Sequence, residues 1–383
     1  MGLVGKLVLG ILGGIVVGFW APTGLVQICL TFKDVFAQFL GFIIPFLIIT
    51  FIGEGIGNLN HNVGRLLGVT TILSYISTLG AGFLSATVAL VAIPWFDLSM
   101  VEVASKNSLP KAFVTLEFAP LMTVMSSLVF SFVLGLGVIG TKASQVRSLL
   151  SECKQIIEWV IQSWIVPILP FYIACIFVET AAEGQVTHVL HSFGVVLFLA
   201  FCLHWVWLFV LYTAAALATG SNPFSLIKNM MGAYLTAIGT MSSAATIPMT
   251  LKQTLKNGVN GDVAHFVIPL CATIHIAGST ITLTVASIAV MFLTQNTYPT
   301  WDVLVPFIFL LGVTMVAAPG VPGGGVMAAL GLFSSVLGFN EVALGLMIAL
   351  YVAQDSFGTA CNVTGDGALA ILVDRMVGDK TYA

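Results

Sequence analysis

Gln354-Asp355-Ser356-Phe357-Gly358-Thr359-Ala360-Cys361-Asn362-Val363-Thr364-Gly365-Asp366 decides how this chain is read. The stretch begins inside the apolar run Val342 to Ala353 and is followed by a second, Ala368 to Val373. As a helix it places Asp355, Thr359, Asn362 and Asp366 on one face, since their spacings are four, three and four. Two carboxylates, an amide and a hydroxyl on one stripe of a membrane helix cannot face lipid, where each would lose its hydrogen bonds. Such groups line an ion or substrate path, or pair with something that does. No Lys or Arg lies between Lys256 and Arg375, so neither aspartate has a basic neighbour in sequence, and a bound cation is the simpler expected partner. The blander alternative is a carboxylate pair satisfied inside a helix bundle.

Working outward, the 383 residues are 58% hydrophobic and 8% charged, which excludes a water-soluble globule. Apolar runs of about twenty residues, the length that crosses a bilayer as helix, follow one another along the chain. The expected fold class is an all-α polytopic membrane protein. Cys29, Cys153, Cys175, Cys202, Cys271 and Cys361 have no CxxC spacing and mostly sit in apolar runs. They read as small buried hydrophobes, not as a disulfide framework or a metal site. Met1 to Trp20 has one Lys before its apolar stretch but no small-residue cleavage pattern, so it reads as the first span.

Further spans are expected over Val35 to Ile56, Val63 to Pro94, Phe118 to Ile139, Ile156 to Val178 and Val189 to Ala218. Asp97 to Lys111 is a polar connection. Beyond Gly220 two regions, Asn222 to Leu255 and Trp301 to Gly338, are interrupted by polar, Gly and Pro clusters. Each precedes a more regular span, Ala264 to Leu293 and Glu341 to Val377. With the N-terminus inside, only Lys33, Lys106 and Lys111 fall outside, as the positive-inside rule requires. That count holds only if both interrupted regions are re-entrant hairpins. Eight transmembrane helices, two re-entrant helical hairpins and two cytoplasmic termini satisfy it.

The first interruption is Thr240-Met241-Ser242-Ser243-Ala244-Ala245-Thr246-Ile247-Pro248, and the second Ala317-Ala318-Pro319-Gly320-Val321-Pro322-Gly323-Gly324-Gly325. Pro248 cannot donate a backbone bond, and two prolines with four glycines in nine residues will not continue a helix. Non-helical backbone at membrane depth survives only where protein buries it or a cavity solvates it. A pair of such broken segments points to a transporter's binding site, with half-helix N-termini for a carboxylate and unwound carbonyls for a cation. Span seven adds Cys271-Ala272-Thr273-Ile274-His275-Ile276-Ala277-Gly278-Ser279-Thr280, where Gly278 weakens the helix. His275 is either a satisfied polar contact or a proton-linked group. Thr70, Thr71, Ser74 and Ser77 of span three are candidates to face the same core, or to serve as interhelical glue.

Together these stretches resemble the dicarboxylate/amino acid:cation symporter family, which includes the glutamate transporter homologues. The resemblance rests on Ser242-Ser243-Ala244-Ala245-Thr246-Ile247-Pro248, Gly320-Val321-Pro322-Gly323-Gly324-Gly325 and Asn362-Val363-Thr364-Gly365-Asp366, and more weakly on Ile44-Pro45-Phe46. It implies an elevator-type transporter and a homotrimer in which each subunit works alone. Scaffold helices would lie in 1–62 and 112–182. The transport domain would comprise helix 3 in 63–95 and all of 187–383, with hairpins at 222–257 and 301–338. By position, Asp355 would hold the substrate amino group and Asn362 its carboxylate, with Ser242, Ser243, Ser279, Val321, Gly325, Gly358 and Thr359 around them. Asn362 and Asp366, with carbonyls of Cys271 and His275, would form one sodium site. Carbonyls of Thr273 and of Met315, Val316 and Ala318 would form another.

Departures from the family pattern bear on the substrate. Members that carry acidic amino acids have an Arg where this chain has Gly358; the alternative place for that Arg is Met241, and the Asp that accompanies it is Tyr351. An unpaired substrate carboxylate in a dry pocket costs several kcal/mol. Gln354-Asp355-Ser356 and Ala277-Gly278-Ser279 look more like the serine/threonine branch. His275-Ile276-Ala277-Gly278-Ser279 lacks the family's Asp at Ala277, which implies fewer coupled sodium ions, with protons left open as a second coupling ion. The expectation is sodium symport of serine, threonine or alanine across a bacterial inner membrane, with lipid but no nucleic acid as partner. The rivals are an acidic amino acid or dicarboxylate symporter coupled to sodium or protons, and an ion channel on the same hairpins. A membrane enzyme is disfavoured, because no nucleophile–base motif is visible in sequence.

Overall fold

In a computed structural model the described residues are 3–57, 65–96, 111–114, 116, 118–182, 184, 186–318 and 322–377. Among them every regular element is helical. In order these are α1 (Leu3–Trp20), α2 (Thr23–Gly57), α3 (Arg65–Ala92), α4 (Val124–Thr141), α5 (Ser144–Val160), α6 (Val166–Ala182) and α7 (Val186–Thr219). There follow α8 (Pro223–Thr240), α9 (Ser243–Lys256), α10 (Gly261–Ile274), α11 (Ala277–Gln295), α12 (Trp301–Ala317), α13 (Gly324–Ser335) and α14 (Glu341–Val377). Most of the polar connection at 97–111 lies outside the described residues.

Six helical stretches are long and apolar enough to cross a bilayer: Thr23–Glu54, Arg65–Phe96, Ser144–Ala182, Val189–Thr219, Gly261–Gln295 and Glu341–Val377. Shorter apolar pieces are Gly5–Trp20, Val129–Thr141, Trp301–Val316 and Gly324–Ser335. Two helices start well before the expected span boundaries, α2 ahead of Val35 and α5 ahead of Ile156. Charges that look like span ends in sequence are paired inside the fold. Lys33 Nζ lies 2.7 Å from Glu179 Oε2 and Lys154 Nζ 3.0 Å from Glu54 Oε2, so neither lysine needs to end its helix. A π-helical turn, Ile161–Ile165, joins α5 to α6 and keeps the pair continuous.

Helices α1, α2, α4, α5 and α6 pack on one another, while α3 and α7 to α11 gather around α14. The closest seam is α1 on α6. Gly10, Gly14 and Gly18 face the carbonyls of Pro170, Ala174 and Val178 in turn, so the two helices run parallel; an added Cβ on Gly10 or Gly18 would come to 2.5 Å of its carbonyl. Small residues at a helical repeat allow this, and in lipid such packing replaces the hydrophobic drive between helices. The centre of the bundle is α14, buried on every face between Gly345 and Val352 and again from Gly358 to Ile371. At 37 residues it is about 55 Å long, more than the roughly 30 Å hydrocarbon core.

Candidate functional site

The expected breaks occur, but not where the prolines suggest. In the first hairpin α8 ends at Met241, whose φ of 52° is left-handed, and Ser242 then caps α9 by accepting from the Ala245 N–H. Pro248 lies inside α9, where it leaves the Ala244 carbonyl without its intrahelical donor. In the second hairpin α12 stops at Ala317 and α13 starts at Gly324, with Gly323 at φ 77° as its N-cap, a conformation that needs no Cβ. Val321 and Gly320 lie outside the described residues. Span seven breaks at His275 and Ile276, one residue ahead of α11 and before Gly278, which sits in its first turn.

Asp355, Thr359, Asn362 and Asp366 are all buried, as a single stripe of α14. Asp355 Oδ2 accepts the Gly323 N–H at 2.7 Å, tying the tip of the second hairpin to α14. Its Oδ1 accepts a long 3.4 Å bond from Thr359 Oγ1, and the Tyr351 phenol lies within hydrogen-bonding reach of the same carboxylate. Asn362 Oδ1 accepts the Gly278 N–H at 2.7 Å, and its Nδ2 donates to Ser279 Oγ at 3.3 Å. The Gly278 carbonyl faces His204 Nε2 at 2.9 Å. The first turn of α11 is therefore held from both sides. Gly278 is glycine for a steric reason: a Cβ there would run into the Gly358 carbonyl and come within 2.7 Å of Cys361 Cβ.

A small cavity of ≈ 20 Å³, room for about one water, lies where these elements meet. The hairpin tips contribute Met241, Ser243 and Gly325; α10 and α11 with the residues between them contribute Ala272, Ile276 and Ser279; α14 contributes Tyr351, Asp355, Thr359 and Asn362. None of these is a Lys or Arg. The helices α9 and α13 both point their N-termini here, and free N–H groups at a helix start favour an anion. Of the expected substrate residues, Ser243, Ser279, Gly325, Asp355, Thr359 and Asn362 line the cavity. Ser242 serves instead as the α9 cap, and Gly358 packs against the Gly278 and Ser279 backbone of α11. The two α14 and α11 glycines let the helix backbones cross closely, which is why Gly358 is turned away from the cavity.

Asp366 forms a second cluster below the first. Its Oδ1 lies 2.8 Å from His275 Nδ1, and His275 Nε2 lies 2.9 Å from Ser77 Oγ. An ionised Asp366 can only accept, so Nδ1 carries the proton; with the imidazole neutral, Nε2 accepts from Ser77. The sequence offers Asp366 no Lys or Arg neighbour; its partner in the fold is a histidine, invisible to a search for those residues. Asp366 Oδ2 remains buried with no hydrogen-bond partner among the described residues. Ser77, His275 and Asp366 form a hydroxyl–imidazole–carboxylate row that no sequence motif announces. All three are buried and none lines the cavity.

The remaining ion-site candidates fall at helix ends. The Cys271 carbonyl accepts the His275 N–H at 2.8 Å, closing α10. Thr273 is in the last turn of α10 with its side chain exposed, and Met315, Val316 and Ala318 are at the end of α12, which packs on α10. Carbonyls at a helix C-terminus lack intrahelical donors and favour a cation. Of the span-three hydroxyls, Thr70, Ser74 and Ser77 are buried and Thr71 is half-buried. Sequence reasoning missed His204 altogether, because a lone histidine in an apolar run carries no pattern. It also passed over Tyr351 as a pocket residue, although Tyr351 is one turn before Asp355 on the same stripe.

Broken helices that bring capped N-termini, buried carboxylates and an unwound turn together within a bundle of apolar spans define a helical membrane transporter. The sequence profile of the sodium:dicarboxylate symporter family matches residues 3–376, and the chain belongs to that family. It is a symporter, not an enzyme. Among characterised proteins the chain is similar to the serine/threonine transporter SstT of Acinetobacter baylyi, at 26% identity over 394 aligned positions that cover 98% of this chain and 97% of that protein.

Proposed function

We propose that the chain accumulates a small neutral amino acid (serine, threonine or alanine) by symport with sodium. The observation that carries this is the charge balance of the cavity. One carboxylate, Asp355, faces two helix N-termini and Asn362, with no Lys or Arg in the lining. A zwitterion fits that balance: the ammonium goes to Asp355 Oδ1, and the carboxylate to the N–H groups at Ser243 and Gly325 and to Asn362. A second carboxylate on the substrate would have no cation to meet, and desolvating it unpaired costs several kcal/mol. The serine/threonine specificity in the name of the Acinetobacter relative supports the same choice.

Sodium travels with the substrate. Asp366 Oδ2, a buried carboxylate oxygen without a partner among the described residues, suits a cation, with Asn362 and the carbonyls of Cys271 and His275 completing its site. Carbonyls of Thr273, Met315, Val316 and Ala318 form a second site at two helix C-termini. The chain works as a homotrimer in the bacterial inner membrane, with both termini cytoplasmic, eight spans and two re-entrant hairpins. The α1, α2, α4, α5 and α6 group is the scaffold, and the helices around α14 move through it as an elevator.

The test is uptake of labelled serine into proteoliposomes with and without an inward sodium gradient. Sodium-driven uptake blocked by threonine and alanine but not by aspartate is the expected result. Uptake that ignores sodium, or that aspartate blocks as well as threonine, overturns the proposal.

A further inference from the structure

Tyr351 has the largest side chain lining the cavity, and it is 2% exposed. Its Oη donates to Ser279 Oγ at 2.9 Å, and a Cβ added to Gly325 would run into the same oxygen. The phenol thus sits wedged between the second hairpin and α11, with the Asp355 carboxylate and the Gly325 backbone also within hydrogen-bonding reach. Ser279 Oγ accepts from Tyr351 and, at 3.3 Å, from Asn362 Nδ2. A hydroxyl has two lone pairs and one hydrogen. With both lone pairs taken, the Ser279 O–H remains as a donor, and no protein acceptor for it exists among the described hydrogen bonds.

We infer that Tyr351 determines substrate specificity: its ring closes the cavity against side chains longer than those of serine or threonine, and its bond to Ser279 turns that hydroxyl into a donor for a substrate oxygen. The inference rests on the small-amino-acid reading and adds the residue that enforces it. A hydroxylated side chain accepts from Ser279; an alanine side chain fits but leaves the donor unmet. A longer chain meets the ring. Discrimination by one or two methylenes in such a pocket is worth about ten- to two-hundredfold.

Two variants in proteoliposomes test this, each read as a ratio of competitor potencies, so that a general loss of activity cancels. Tyr351→Ala is expected to raise the potency of valine, leucine and glutamine relative to alanine by about tenfold or more. Tyr351→Phe, which keeps the ring and folds as its isostere, is expected to keep the size limit while the preference for serine over alanine falls about tenfold. Unchanged ratios in Tyr351→Phe, or in a Tyr351→Ala protein that still transports, overturn the inference. A wild-type protein that takes up no small neutral amino acid instead overturns the proposed function.

Discussion

Replacing Asp355 with Asn separates charge from shape at the centre of the site. The substitution is isosteric, and the Asn carbonyl oxygen can still accept the Gly323 N–H that Asp355 Oδ2 now accepts at 2.7 Å. The hairpin tip therefore keeps its anchor. What is lost is the negative charge proposed to face the substrate ammonium. Removing one partner of a buried charge pair costs about 3–5 kcal/mol, which at 1.4 kcal/mol per decade is a loss of roughly two to three and a half powers of ten in affinity. The sodium site proposed at Asp366 lies about three turns further along α14, beyond Thr359 and Asn362, and sodium binding should persist. The assay is isothermal titration of detergent-solubilised protein with serine at saturating sodium, beside a sodium titration alone. Asp355→Ala is the control, because it also leaves the Gly323 N–H without an acceptor, at about 1–3 kcal/mol. It should lose thermal stability that Asp355→Asn keeps. Serine affinity in Asp355→Asn within tenfold of wild type would remove Asp355 from the ammonium site.

Other predictions address the ion site and the packing around it. Asp366→Asn should raise the sodium concentration for half-maximal uptake at least tenfold; an unshifted sodium dependence would sink that assignment. Gly278→Ala should lower the unfolding temperature in detergent and weaken serine binding together, because its Cβ meets the Gly358 carbonyl and Cys361, and overpacking costs about 1–3 kcal/mol. A stable variant with wild-type uptake would show that α11 and α14 can separate freely. Gly14→Val should impair folding or assembly, read as the yield of monodisperse protein, while the exchange of exposed Leu9 for Val or Ile on the same helix should not.

Much of the site was readable because α14 repeats its polar residues at helical spacing. Asp355, Thr359 and Asn362 share one cavity for that reason, and the two broken segments announced themselves by their glycines, serines and prolines. The places of the breaks were harder to see. Met241 takes a left-handed conformation without being glycine, and the hairpin fold, not its own propensity, holds it there. The unwinding at His275 precedes Gly278 because Gly278 is spent on close approach to α14, not on the turn itself. His204 meets Gly278 across 74 residues, and His275 meets Ser77 across 198; pairings of that separation leave no trace in local pattern. The two lysines within spans, Lys33 and Lys154, misled the span boundaries for the same reason, since their carboxylates lie on other helices.

The glycine seam between α1 and α6 behaves as a ratchet with its own pitch. Contact there is main chain on main chain, so it recognises spacing and not side-chain identity. Sliding α1 by four residues, about 6 Å along its axis, sets a glycine again on two of the three α6 carbonyls. Any smaller displacement drives a larger side chain into them. If α1 ever shifts against its neighbour, one whole turn is the step that the seam permits.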